Sequence, residues 1–250
     1  MLALDRDTWA MGACNLELLQ VAGLAKQYGP YTALADVNFA VCRGEILGLI
    51  GPNGSGKTTL LECLAGLLPT DQGAVAWRGE ILPANRRKTV LFYVPDGIAP
   101  YAEHRVADVL SFLGRVYRVP VARIEETAAA LGLGGVSLKP VGTLSKGYRR
   151  RLLLALGVLT PHPLLAMDEP FDGLDLHQTR DVMRHLRVVA AQGRSLLLSI
   201  HQLAEAERIC DRFVLLDAGR VRGEGTLNAL RDMAGLPPDA GLEDVFLALT

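Results

Sequence analysis

Short apolar runs that end at glycines or acids alternate along this chain with stretches of helical spacing, which predicts a layered α/β fold. Residues 45–50 are an apolar run ending at Gly51 and read as a buried strand. Over 56–67, Leu60, Leu61, Leu64 and Leu67 share a helical face, and Leu68-Pro69-Thr70-Asp71 is the expected stop. Residues 73–77 and 89–94 read as strands. The pattern from 106 to 133 is mostly helical, with breaks at Pro120 and Gly132, and Ser145 is placed to cap a long helix running to about 159. Strands expected at 164–167, 195–200 and 212–216 then alternate with helices at about 177–191 and 202–210. Asp217-Ala218-Gly219-Arg220 predicts a hairpin turn, with 221–223 returning. The helical middle reads as an insert in an α/β sheet.

Composition narrows the class. The chain has 250 residues, 50% hydrophobic and 21% charged, which suits a globular domain with a substantial core rather than a disordered chain. A formal net charge of -1 disfavours a mainly electrostatic nucleic-acid binder, so no nucleic-acid partner is expected. The longest apolar stretch, 152–167, is interrupted by Thr160, Pro161, His162 and Pro163, so no membrane-spanning helix is predicted. Residues 1–12 carry early acids and lack a basic-then-apolar leader pattern, so a cytoplasmic protein is expected. Cys14, Cys42, Cys63 and Cys210 form no CxxC pair and read as small buried residues.

The strongest chemical signal is Gly51-Pro52-Asn53-Gly54-Ser55-Gly56-Lys57-Thr58-Thr59, a full GxxxxGK[ST] motif between an expected strand and an expected helix. Its glycines let backbone N–H groups turn inward around phosphate oxygens, and the following helix adds its positive end. Lys57 supplies a point charge to the β- and γ-phosphates, and the Thr58 hydroxyl suits Mg²⁺. By itself the motif says only that a nucleoside triphosphate binds. A second signal is Leu164-Leu165-Ala166-Met167-Asp168-Glu169-Pro170, an apolar strand ending in two acids. Asp168 at its carboxyl end can hold Mg²⁺ through water, and Glu169 can accept a proton from an attacking water. The competing reading is a plain strand-to-turn boundary.

The ordered set of motifs resembles the ATP-binding cassette, the nucleotide-binding subunit of ABC transporters, over nearly the whole chain. Leu144-Ser145-Lys146-Gly147-Tyr148 resembles the family signature, and Phe171-Asp172-Gly173-Leu174-Asp175 its D-loop. Ser199-Ile200-His201 is similar to the switch-histidine segment, and Lys26-Gln27-Tyr28-Gly29 to the aromatic A-loop. The resemblance implies a P-loop NTPase (RecA-like) core with an antiparallel β subdomain and an inserted α-helical subdomain. As a single cassette domain over 1–250, the ATPase core would span 16–94 and 160–250, and the helical subdomain 95–159. Tyr28 would stack on adenine, unless it is an ordinary core tyrosine. Ser145 and Gly147 would face the γ-phosphate held by a second cassette, Asp175 would order that interface, and His201 would contact the γ-phosphate and the attacking water. The implied machine binds ATP and Mg²⁺, pairs with an identical or different second cassette, and closes against separate transmembrane permease subunits. That places it on the inner face of the cell membrane, and the signature variant points to exporters.

Two departures matter. Where the family usually has glutamine after the strand entering the helical insert, this chain has Asp96, which can still ligate Mg²⁺ through oxygen or can merely open an Asp96-Gly97 turn. In the signature, Lys146 replaces glycine and Tyr148 replaces glutamine, and Tyr148-Arg149-Arg150-Arg151 either faces phosphate or the partner domain, or forms a solvated helix face. The C-terminal segment 242–249 reads as a short amphipathic helix docked on its own domain. Rival readings are a DNA-maintenance ATPase, opposed by the lack of sustained heptads, and a two-cassette translation factor, opposed by the single P-loop. A non-hydrolysing regulatory module is opposed by Glu169 and His201 occurring together.

Overall fold

A computed structural model describes residues 17–250. The readings for residues 1–12 and for Cys14 lie outside them. Two sheets organise the chain. The first is antiparallel, in the order β2-β1-β4-β5, formed by β1 (Glu17–Tyr28), β2 (Tyr31–Cys42), β4 (Gln72–Trp77) and β5 (Glu80–Ile81). The second has six strands in the order β10-β9-β3-β8-β7-β6. Here β3 (Ile46–Ile50), β6 (Leu91–Val94), β7 (Leu164–Asp168), β8 (Ser195–Ile200) and β9 (Arg212–Asp217) run parallel, and β10 (Arg220–Gly225) returns antiparallel through the Asp217–Arg220 hairpin.

The central strands are apolar along their whole length because both faces are covered. Alternation sends Leu47, Leu49, Leu164, Ala166 and Leu197 to one side, where they meet β1, β2 and helix α1 (Lys57–Ala65) through Leu60, Leu61 and Leu64. Ile46, Ile50, Leu165, Met167, Leu196 and Leu198 face the other, against α5 (Lys146–Leu159), α6 (Leu176–Ala191) and α7 (Leu203–Ile209). Between β6 and β7 the chain forms α3 (Val106–Tyr117) and α4 (Val121–Ala130), which pack on α5. Pro120 precedes α4, where a residue without an N–H is tolerated, and Gly132 in a left-handed conformation follows it. The remaining α-helices are a single turn, α2 (Ala84–Arg87), and the C-terminal α8 (Leu227–Ala234) and α9 (Leu242–Leu249). Helix α9 buries Leu242 and Val245 and packs on α7 and α8, and Glu207 accepts from its first N–H.

Some element ends differ from the sequence reading. Helix α1 stops at Ala65 because left-handed Gly66 donates to Cys63 and Leu67 donates to Glu62, which satisfies the last carbonyls before the Pro69 stop is reached. Strand β6 starts at Leu91, since the N–H groups of Thr89 and Val90 are used in turns to Arg86 and Arg87.

The register places the site. Ile50 pairs with Ile200, and Asp168 with Ser199, so the carboxyl ends of β3, β7 and β8 lie side by side. The residues that follow them, Gly51, Glu169 and His201, therefore leave the sheet at one edge, the usual place for a ligand in an open parallel sheet.

Candidate functional site

The loop 51–56 turns on itself between β3 and α1. Ser55 N–H donates to the Pro52 carbonyl at 3.1 Å, and Gly219 N–H fixes the Ser55 carbonyl at 3.0 Å. The Lys57 ammonium is buried and folds back to donate to the Gly51 and Pro52 carbonyls at 2.7 and 3.1 Å. Burial pulls it below the usual lysine value, an effect that Glu169 and Asp168 oppose. No side chain caps the N-terminus of α1, and the buried Ser55 Oγ has no hydrogen-bond partner. Uncapped N–H groups, an orphaned hydroxyl and a buried cation are together what a phosphate satisfies.

Beside the loop, the Thr58 hydroxyl donates to Asp168 Oδ2 at 2.7 Å, and the Tyr93 hydroxyl reaches the same oxygen at 3.4 Å. Glu169 adopts a left-handed conformation with φ 49°, and its N–H is held by the Ser199 carbonyl at 3.0 Å. Such strain in a non-glycine residue persists only where the surroundings enforce it. It leaves the Glu169 carboxylate 2.5 Å from His201 Nδ1. Burial raises the Glu169 carboxyl above its ordinary value, with the His201 contact opposing, a direction that makes the carboxylate a stronger base.

These groups share a groove of about 430 Å³. Its walls include Tyr28, Asn53, Gly54, Gly56, Lys57, Thr58, Thr59, Asp96, Asp168 and Glu169, while Gly51, Pro52 and Ser55 form the turn beneath and His201 joins through Glu169. Tyr28 is 45% exposed, so it is not a core residue, and its ring lies 5.5 Å from the Lys26 ammonium. Tyr31, which the sequence reading passed over, also lines the groove, and its hydroxyl donates to the Gly54 carbonyl at 3.4 Å. The signal available was the pair of tyrosines flanking the Gly29-Pro30 turn.

Ser145, Gly147 and Asp175 do not line this groove; they form a second patch where α5 and α6 begin. The Ser145 hydroxyl caps α5 by accepting from Tyr148 N–H at 3.3 Å, and Asp175 caps α6 by accepting from Gln178 N–H at 2.9 Å. A Cβ at position 147 would sit 2.8 Å from the Gly173 carbonyl, so glycine is what lets the two segments touch. The exposed Lys146 pairs with Asp172 across the same contact at 2.6 Å.

The arginine cluster is not uniformly a solvated face. Only Arg149 is exposed. Arg151 is buried, with its guanidinium 4.2 Å from the Tyr148 ring and donating to the Leu131 carbonyl at 3.2 Å. Arg150 is buried as well, donates to the Asp168 carbonyl at 3.2 Å and forms an ion pair with Asp96. Asp96, expected as an oxygen ligand for Mg²⁺, thus reaches the groove with one oxygen held by arginine.

Among the described residues no helix is long and apolar enough to cross a membrane. The sequence matches the ABC transporter family over residues 34–172. It is 36% identical over 222 residues to the Nod factor export ATP-binding protein I of Ralstonia nicotianae, covering 86% of this chain and 68% of the relative. The protein of the same description from Bradyrhizobium diazoefficiens is 35% identical over 222 residues, covering 86% and 72%. The fold superposes on a solved ATP-binding subunit of an ABC transporter with a TM-score of 0.83 at 33% identity, over 93% of this chain and 99% of that one. A family match running from β2 through the acidic strand, on a fold that gathers a phosphate loop and a paired carboxylate at one sheet edge, means that the chain belongs to the ABC transporter family and is the ATP-binding, ATP-hydrolysing subunit of a transporter.

Proposed function

We propose that this subunit drives an exporter by closing, with ATP, onto a second cassette while seated on transmembrane permease subunits at the inner, cytoplasmic face of the membrane. The exporter assignment draws on the relatives named for Nod factor export. The observation that carries the hydrolytic part is the Glu169–His201 contact of 2.5 Å, held beside the Thr58–Asp168 contact of 2.7 Å.

In this reading the loop N–H groups and Lys57 bind the phosphates, and Tyr28 offers a ring face to adenine. Thr58 and Asp168 would hold Mg²⁺, which takes few protein ligands when phosphates and water supply the rest and which neutralises phosphate charge when bound. Glu169 would accept the proton of the attacking water, and His201 would fix the carboxylate orientation and face the γ-phosphate. Ser145, Gly147 and Asp175 would serve the groove of the second cassette, which agrees with their distance from the groove of their own chain. Closure then needs only a higher affinity of the paired state for ATP.

Light scattering of the Glu169→Gln protein with and without Mg·ATP, alongside its turnover, tests this. The amide keeps the shape of the carboxylate and removes the base. The expected result is an ATP-dependent shift from monomer to dimer with slow turnover. Turnover equal to that of the unmodified protein would remove the base assignment, and a persistent monomer would mean that closure needs a different cassette or the permease subunits rather than a second copy of this chain.

A further inference from the structure

Arg150 links α5, the helix that Ser145 caps, to two segments that frame the groove. It projects from α5, donates one nitrogen to the Asp168 carbonyl at 3.2 Å and gives another to Asp96. Asp96 follows β6 where the chain leaves the sheet for α3 and α4, and the next residue, Gly97, is left-handed with open space around it. The burial is asymmetric. The Arg150 side chain is 4% exposed and that of Asp96 48%, so the aspartate can turn to solvent and the arginine cannot. A buried guanidinium that loses its counter-charge is strongly disfavoured, whereas an exposed carboxylate that loses its partner is simply hydrated.

We propose that Arg150 is a positioning residue that ties α5 to the carboxyl end of β7, and that Asp96 acts as its counter-charge rather than as a metal contact. The inference rests on the ATPase reading above. A guanidinium on the Asp96 carboxylate repels a second cation at the same group, which leaves Thr58 and Asp168 as the metal-holding pair. It also explains why an aspartate stands where a glutamine is usual in the family. A neutral amide at 96 would offer an acceptor but no counter-charge, so aspartate at 96 suits the buried Arg150 better than glutamine would. Through the Asp168 carbonyl, Arg150 sets the backbone one residue before Glu169. Its loss should therefore lower turnover and leave the phosphate loop's hold on ATP intact.

The test is a double-mutant cycle on the full chain with Asp96→Gln, Arg150→Gln and the pair. ATPase kcat and KM would be measured, together with the Mg²⁺ concentration that half-saturates binding of a fluorescent ATP analogue. Each single variant is expected to lower kcat about tenfold with KM for ATP within about twofold, because the interaction lost orients rather than binds. The double variant should be no worse than the worse single one, since the two residues act as a unit. The Mg²⁺ requirement should not move in any of them. A several-fold higher Mg²⁺ requirement in Asp96→Gln would overturn the inference by making Asp96 a metal contact, and fully additive losses in kcat would overturn it by making the residues independent. Because Asp96 is half exposed, the Mg²⁺ titration of Asp96→Gln decides even if Arg150→Gln does not fold. Unmodified protein that failed to bind Mg·ATP would overturn the ATPase reading together with this one, whereas normal binding with an altered Mg²⁺ demand in Asp96→Gln overturns this one alone.

Discussion

Gly54 and Gly56 allow one chemical change to be made twice in different surroundings. Both have positive φ, 84° and 105°. A methyl group at position 54 meets nothing within 4 Å, whereas one at 56 would lie 2.6 Å from the Ala33 carbonyl and 2.9 Å from the Leu34 side chain on β2. Left-handed backbone costs an L-residue about 1–2 kcal/mol. Removing a glycine returns about 0.4–1 kcal/mol by restricting the unfolded chain. Gly54→Ala should thus destabilise by about 1 kcal/mol, which for a chain of this size lowers Tm by about 2–4 °C. Gly56→Ala carries the same strain plus an overpacking term of about 1–3 kcal/mol, and the backbone carbonyl it strikes cannot rotate away as a side chain can. The gap between the two variants should be about 1–3 kcal/mol in urea unfolding, since only Gly56→Ala strikes β2, the strand that carries Tyr31. Equal urea midpoints would refute the claim that packing of the loop against β2, rather than its backbone conformation, sets the tolerance.

Lys57→Ala should weaken ATP binding about 10- to 100-fold, from the loss of charged hydrogen bonds of about 1.5–3 kcal/mol, and isothermal titration reads this directly. Ser145→Arg should abolish ATP-dependent dimerisation of the Glu169→Gln protein in light scattering while monomers still bind nucleotide; it also removes the α5 cap, at a cost of about 1 kcal/mol that a melting curve will register separately. Burial pushes the Cys63 thiol up to about 11 and the Cys210 thiol up as well, so peptide mapping after brief iodoacetamide treatment of native protein at neutral pH should find both unlabelled. Rapid labelling of either would mean that the packing of α1 or of α7 is looser than described.

The phosphate loop and the acidic strand were legible in the sequence because each is contiguous. In both cases the residues that do the chemistry directly follow the strand that aims them, so a motif and its setting are read together. Strands β1 and β2 carried no comparable signal. Their pairing is interrupted by register shifts, among them those between Val21 and Leu24 and between Lys26 and Gln27, and each bulge resets the period-two alternation by which a strand is recognised. Tyr28 was found only through a family resemblance, and Tyr31, three residues on and in the same groove, was not found at all.

The arginine run shows where contiguity stops helping. Three consecutive arginines at the start of a helix look like a charged face, since local sequence carries no information about what packs on each side. A helix advances about 100° per residue, so neighbours in a run point in different directions. Arg149 meets solvent, Arg150 meets the end of β7 and Asp96, and Arg151 meets Tyr148 and the Leu131 carbonyl. Each buried guanidinium needs acceptors, and those acceptors come from positions 96 and 168 for one and 131 for the other. The departure at Asp96 and the burial of Arg150 are therefore a single feature divided between two distant places in the chain. Read apart, the first looks like a defect in the nucleotide site and the second like surface charge; joined by the fold, each supplies the reason for the other.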